Sequence, residues 1–495
     1  MTGKQASQAS TAAPVFHEGF CKAEARRYVL IATILASSLG FIDGSVVAIA
    51  MPAIRASLDA TLAQAQWVHN AYMLTLAALV LVGGALGDRF GLARVFSFGI
   101  GLFVAASVLC ALAPDPTFLI ITRAIQGVGA AIMVPGSLAI IARAYPRAER
   151  GRAIGIWAAA SALTTALGPI IGGFALSVGG DAMWRWIFAV NLPLGALALY
   201  LLTSKVEKDR SHPDTPIDLP GAVLATGGLL CIAWGLTHAQ EGHASSLGLW
   251  LGGGTALIVA FLLVEARSAH PMMPLSLFRS RDFSVVNLLC FTLYSALNII
   301  LFFLPMTVIA AWGISPFAAS AAFAPLSIFI SVLSARMGRL ADRYGTALLL
   351  GTGSAIVTLG YVALLFAVRA QMFWDGVLPA MCLVGLGMSM VVAPLSTAVM
   401  AAVDEDQSGI ASGVNNAITR LAGLVSVAAI GGLVAGVYAA NGGTESFGVI
   451  ADASGHEEAI NAGFVAICGV AAGLSAISAA IAFGLLGRWP QTAPS

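Results

Sequence analysis

Asp43 is the one acidic residue that the sequence places in the middle of a long apolar stretch. A charged side chain in hydrocarbon costs roughly 2.5–3.5 kcal/mol on insertion scales unless it is partnered, which makes it a functional candidate by default. Burial also disfavours the charged form of a carboxyl group. Asp43 is therefore suited to bind and release a proton at working pH; the competing reading is a carboxylate permanently paired with a neighbouring helix. Arg123, near the outer end of another apolar stretch, is the cation suited to regulate it. Close by, it stabilises the carboxylate, and withdrawn or occupied it lets the proton return. An arginine at that depth can also snorkel to the outer interface. Gln126, one helical turn further on, can hydrogen-bond in the same cavity.

A second set of residues suits a conformational latch. GALGDRFG (Gly84–Gly91) returns as GRLADRYG (Gly338–Gly345), each time in a short polar break between two apolar runs. Gly84, Gly91, Gly338 and Gly345 are expected to turn the chain sharply between adjacent helices. Asp88 and Asp342, beside Arg89 and Arg343, can bind a neighbouring arginine or a helix N-terminus. Such a contact would hold an outward-facing state and release on closure, unless these are ordinary helix-end charges. The cluster Gly168, Pro169, Gly172 and Gly173 admits close backbone approach and bends its helix, since proline removes a hydrogen bond from the ladder. Asn70, Tyr72, Trp157, Phe291, Tyr294, Asn298, Phe302, Phe303, Met388 and Met390 offer aromatic, amide and thioether groups that could line a substrate cavity at mid-membrane. Residues of these types face lipid or core more often than a ligand.

The elements that must position them are membrane helices. Hydrophobic residues make up 58% of the 495-residue chain and charged residues 10%, against roughly 25% charged in an average soluble domain. A spanning helix needs about 20 mainly apolar residues. Fourteen stretches qualify: 28–50, 63–86, 93–113, 117–140, 151–177, 183–203, 218–238, 246–265, 282–311, 316–337, 346–367, 373–400, 407–436 and 460–486. An even number puts both termini on one side. A cytoplasmic N-terminus leaves every Lys and Arg in cytoplasmic segments except Arg55, Arg123, Arg185, Arg369 and Arg420, as the positive-inside rule requires. The first 27 residues are polar and carry no apolar stretch with a cleavage motif, so no removed signal peptide is expected. Lys plus Arg number 25 against 24 Asp plus Glu, a balance that offers no basic surface for nucleic acid. The six cysteines are dispersed, with no Cys-x-x-Cys pair, and read as small core residues outside any metal site or disulfide framework.

From Gly84 to Gly338 the repeat offset is 254 residues, which the segments 28–203 and 204–281 together account for. The expected organisation is a cytoplasmic segment 1–27, a six-helix bundle 28–203, a linker with an inserted helical pair 204–281, a second six-helix bundle 282–486 and a cytoplasmic tail 487–495. Within the insertion, 204–217 is charged and proline-bearing and reads as a solvated linker. The inserted pair should lie at the periphery. Parallel repeats of this kind mark one large class of secondary transporters.

Several motifs carry a family likeness. LGFIDGSVVAIAMP (Leu39–Pro52) holds Asp43, with Ser45 and Ala48 where Thr and Asn are commoner; Gly84–Arg94 is a cytoplasmic loop motif with Leu92 and Ala93 in place of a basic pair. LIITRAIQGVGAA (Leu119–Ala131) surrounds Arg123, ALGPIIGG (Ala166–Gly173) follows a Thr164 where glycine is more typical, and WRWIFAVNLPLG (Trp184–Gly195) comes next. In this order, from about residue 28 to 486, they resemble the fourteen-helix drug:proton antiporters of the major facilitator superfamily. The resemblance implies an all-α integral membrane protein with the major facilitator fold. It implies a proton-coupled multidrug efflux transporter of the cell (inner) membrane, exporting amphipathic or cationic compounds by alternating access as a monomer among membrane lipids. A dedicated proton-coupled exporter of an endogenous metabolite, peptide or lipid stays open. Under this reading Gly168–Gly173 packs the fifth helix against the second half at 316–337 and restricts leak.

No Gly-x-x-x-x-Gly-Lys-Ser/Thr, Gly-x-Gly-x-x-Gly, His-Glu-x-x-His or Gly-x-Ser-x-Gly motif is present. No enzyme activity, cofactor or metal is expected, and transport must draw on an ion gradient. The partners are then a small-molecule substrate and protons.

Overall fold

The computed structural model describes residues 20–206, 217–404, 407–451 and 453–486. Most of the expected N-terminal segment, the 207–216 part of the linker and the tail 487–495 lie outside the described residues. Among those described there is no strand, and fourteen helices are long and apolar enough to cross a membrane. They are α1 (Arg26–Leu58), α2 (Leu62–Phe90), α3 (Leu92–Ala111), α4 (Pro116–Ala144), α5 (Arg147–Gly179), α6 (Asp181–Lys205), α7 (Leu219–His238) and α8 (Leu247–Arg267). They continue as α9 (Arg281–Ala310), α10 (Pro316–Tyr344), α11 (Thr346–Arg369), α12 (Leu378–Ala401), α13 (Ser408–Ala440) and α14 (His456–Leu485).

Polar caps start these helices where apolar sequence alone would not define an end. Thr61 and Gln64 form a capping box on α2, with Gln64 N donating to Thr61 Oγ1 at 3.1 Å and Thr61 N donating to Gln64 Oε1 at 2.9 Å. Asp115 caps α4 by accepting from Phe118 N at 2.9 Å, just before Pro116 at the first helical position. Asp218 does the same for α7, accepting from Gly221 N at 2.8 Å.

The helix ends at the repeated motif correct the sequence expectation. α2 runs on to Phe90 and α10 to Tyr344, so Asp88, Arg89, Asp342 and Arg343 occupy the last helical turn rather than a loop. Only Gly91 (φ 97°) and Gly345 (φ 92°) make the reversal, since one residue in that region suffices and glycine enters it without a Cβ clash. Gly84 and Gly338 are ordinary helical positions. No atom lies within 4 Å of a Cβ built on Gly84, and nothing in the structure explains a glycine there.

The pairing scheme of the first six helices recurs in the last six. α4 packs on α2 and α3, while α1 packs on α5 and α6; correspondingly α12 packs on α10 and α11, and α9 on α13 and α14. α1 meets α9, and α2 meets α13, along the line between the two sets. α7 and α8 pack on each other, and α7 also touches both α2 and α13. α8 buries only Gly254, Phe261 and Glu265, leaving a largely apolar outer surface with Leu249 77% exposed, as lipid contact requires.

α5 and α10 are packed together at one end of the molecule and accessible toward the other. Gly173 of α5 packs on Pro316 and Phe317 at the start of α10, and Phe317 N donates to Ser177 Oγ at 3.0 Å. Further along, α10 buries no residue between Pro325 and Ala341, and most of α5 before Gly168 is accessible as well. The two helices part toward the end that carries Gly91 and Gly345.

Candidate functional site

α1, α2 and α4 bring the sequence candidates Asp43, Arg123 and Gln126 together. Arg123 Nη1 donates to Asp43 Oδ2 at 2.6 Å and to Gln126 Oε1 at 2.5 Å; Gln126 Nε2 donates to Asp43 Oδ1 at 3.0 Å. Both charged residues are 1% exposed. Arg123 Nε donates to the Val68 carbonyl at 3.1 Å, and its guanidinium lies 4.3 Å from the Tyr72 ring centroid. The arginine is thus turned into the bundle, not toward the interface. Ser107 of α3 accepts from Gln126 Nε2 at 2.8 Å and from Asn191 Nδ2 at 3.2 Å, which fixes the amide orientation. Opposite charges this close stabilise one another strongly when dry, yet each loses hydration in getting there. Removing one partner leaves an uncompensated buried charge, worth about 3–5 kcal/mol. The chemical capacity of the arrangement follows: protonating Asp43 neutralises the acceptor and frees Arg123.

The glycine-proline cluster divides between two neighbours. Gly168 and Gly172, four residues apart on one helix face, pack on α1, where a Cβ on Gly168 would lie 2.6 Å from Ser45 Oγ. Gly173 points about 100° away and meets α10, where its Cβ would lie 2.5 Å from the Pro316 carbonyl oxygen. The expectation that the whole motif faces 316–337 is corrected accordingly. Thr164, where a glycine is more typical of the family resembled, bonds α1 through Ser38 Oγ at 3.1 Å.

Asp88 sits 3.5 Å from Arg143 of α4, an exposed pair within the first six helices. Asp342 and Arg343 are exposed at the end of α10, with Arg343 over the ring of Tyr344. Arg89 lies over Phe90.

The cavity candidates separate by position. Asn70 is fully buried on α2, and neither of its amide atoms has a partner. Tyr72 lies under Arg123, and Tyr294 and Asn298 are part-exposed on α9, joined by Asn298 Nδ2 to the Tyr294 carbonyl at 2.8 Å. Phe291 is part-exposed on the same helix. The Phe302 ring lies tilted against His69 at a centroid distance of 5.4 Å. Trp157 is committed to α1, donating to Ser37 Oγ at 2.9 Å. Phe302, Phe303 and Met388 are corrected to core positions, all at most 1% exposed, with Phe303 packed on Phe447. Met390 lies against Gly353 of α11, on the far side of α12 from the centre.

Three groups emerge only in the structure. His69 and Gln66, with Asn70, make a polar stripe on α2 that the run QWVHN shows at spacing three and four. Arg55, placed in the outer segments by sequence, is 2% exposed and donates to the Phe447 carbonyl, to Ser446 Oγ at 2.8 Å and to the Ala60 carbonyl at 3.1 Å. Arg420 of α13 has neither a carboxylate partner nor a hydrogen bond among the described residues. Its position inside an apolar stretch was the signal. A second buried acid among the described residues, Glu265 at 3% exposure, closes the end of α8 by accepting from Met273 N at 3.0 Å.

Fourteen spanning helices in a repeated pairing scheme, enclosing a buried acid–arginine pair, define a multi-pass transporter. The family model of the Major Facilitator Superfamily matches residues 33–427. Multidrug resistance protein Stp of Mycobacterium tuberculosis is 32% identical over 82% of this chain and 75% of its own. The puromycin resistance protein of Streptomyces alboniger is 32% identical over 84% of this chain and 83% of its own. A solved bacterial homologue of the human lysosomal transporter Spinster superposes with a TM-score of 0.67 at 18% identity, covering 95% of this chain and 99% of that one. The chain belongs to the Major Facilitator Superfamily, in the group that includes these resistance transporters, and its fold is the major facilitator fold.

Proposed function

We propose that the protein is a proton-coupled exporter of amphipathic compounds that works by alternating access in the cell membrane, as a monomer with both termini cytoplasmic. The observation that carries this reading is the dry Asp43–Arg123 pair held by Gln126. In the state with the Gly91 end open, the ion pair keeps Asp43 charged. A proton reaching Asp43 from the other side breaks the pair, releases Arg123, and lets the halves rock about the bound site. The boundaries 28–203, 204–281 and 282–486 describe those halves and the added pair, supported by the recurrence of helix pairings. At 100 mV and one pH unit a proton supplies about 3.7 kcal/mol, enough for a several-hundred-fold gradient of cargo.

Proteoliposomes carrying an internal pH dye test this. Puromycin, the compound in the relative's name, and a panel of amphipathic dyes should each be driven by an imposed pH gradient or drive proton movement themselves. Flux of cargo indifferent to the gradient would remove the proton from the mechanism.

A further inference from the structure

We propose that the central cavity recognises an anionic group on its cargo, a carboxylate, sulfonate or phenolate, through Arg420. The proposal rests on the exporter reading above and assigns the charge class of its substrate, in place of the cationic compounds that the family likeness suggests.

The first argument is an inventory of charge. Both oxygens of Asp43 are already engaged, Oδ2 by Arg123 and Oδ1 by Gln126. On the helices that meet at the centre, α1, α2, α4, α9 and α13, the other acids are Asp88 and Asp282, both at helix ends. α13 contains no acid at all. Arg55 of α1 is satisfied by the Ala60 and Phe447 carbonyls and Ser446, whereas Arg420 has no such partner among the described residues, and its Nε is buried and unbonded. A cationic cargo would meet this charge with no free carboxylate to offset it, whereas an anion would supply the missing partner.

The second argument is direction. Arg420 shares a helix face with Leu424, Val427 and Gly431, at spacings of four, seven and eleven residues. That face is turned to α2, because Gln66 Nε2 donates to the Val427 carbonyl at 2.6 Å and a Cβ on Gly431 would strike Gln66. Arg420 accordingly lies within electrostatic reach of His69 and Tyr72 on α2 and of Tyr294 on α9. Its side chain is part-exposed.

The third argument is independent of Arg420. On the same face of α2, Asn70 is 0% exposed with both amide atoms unbonded, and the Oε1 of Gln66 and Nε2 of His69 are unbonded too. Buried amides without partners are rare and costly, and His69 of this stripe lies within electrostatic reach of Arg420. Of these, the Nδ2 of Asn70 and the Nε2 of His69 in the tautomer that carries its proton there can donate to an oxyanion, and the planar guanidinium of Arg420 can take a carboxylate through two parallel bonds.

A matched pair of probes tests the proposal: 1-pyrenebutyrate and 4-(1-pyrenyl)butylammonium, which share one aromatic body and differ in charge. Their binding to the purified full chain is read by energy transfer from tryptophan. The butyrate should bind at least about tenfold more tightly. Arg420→Gln should remove that preference, and Arg420→Lys should keep it at lower affinity because the fork is lost. Equal binding, preference for the ammonium, no binding of either probe, or an unchanged preference in Arg420→Gln overturns the assignment; the wild-type comparison decides even where a variant does not fold. Flux of the bound probe under an imposed pH gradient is scored separately. A butyrate preference without gradient-driven flux defeats the coupling reading alone, and gradient-driven flux of the ammonium without butyrate binding defeats this proposal alone.

Discussion

Gly173 of α5 and Pro316 of α10 approach so closely that a single methyl group on the glycine would sit 2.5 Å from the proline carbonyl oxygen. Backbone meets backbone here, and neither side can yield as a flexible side chain could. Gly173→Val should therefore force α5 and α10 apart at the closed end, at a strain of about 1–3 kcal/mol. A cysteine placed at Ala319, 1% exposed at the start of α10, should then react several-fold faster with a membrane-impermeant maleimide. If its labelling is unaltered, this contact is not what seals that end.

Coupling is predicted to fail when Asp43 cannot change charge. Asp43→Asn should abolish uphill transport while the protein still folds, since Gln126 can still bond the amide. Arg123→Ala should shift or uncouple the pH dependence, with Arg123→Lys restoring it only in part. Normal pH-driven transport by Asp43→Asn would show the pair to be structural.

Arg55 ties α1 to the segment before α14 through the Phe447 carbonyl and Ser446. Hydrogen bonds from a charged donor are worth about 1.5–3 kcal/mol each. Arg55→Ala should speed amide hydrogen exchange across residues 446–451 by an order of magnitude or more, measured by mass spectrometry. Unchanged exchange there would mean that other contacts hold the segment.

Asp218 caps α7. Asp218→Ala should cost about 0.5–2 kcal/mol and lower the unfolding temperature, whereas Asp218→Asn, an equally good cap, should be close to wild type in stability. Turnover per folded molecule should hold in both. A stable Asp218→Asn protein without coupled transport would give this residue a role in the cycle.

Hydropathy alone made fourteen spans legible, because each must satisfy its backbone internally and expose apolar side chains to lipid. The acid and arginine of the site were legible for the same reason, since charge in such a stretch is conspicuous. Their mutual contact was not, because 80 residues separate them and only tertiary packing sets the distance. The turn motif was misplaced by four to seven residues, as polar residues at a helix end look like a loop until one sees that Gly91 and Gly345 alone reverse the chain. The cavity residues were the least legible. Aromatic and thioether side chains carry no orientation in sequence, so Phe302, Phe303 and Met388 could not be told from Phe291 and Tyr294. Arg420 was visible as a charge, yet its meaning depended on the absence of an acid beside it.

α7 holds on to both sides of the molecule. Its Thr237 accepts from Trp67 of α2 at 2.7 Å, and the following Gln240 donates to the Ala428 carbonyl of α13 at 3.1 Å. Rocking about the centre would separate α2 from α13 at this level in every cycle, so one of the two attachments must break and re-form each time. The added pair would then act as a ratchet pawl with its own activation barrier, and the speed of export would be set partly by two hydrogen bonds that touch neither proton nor cargo.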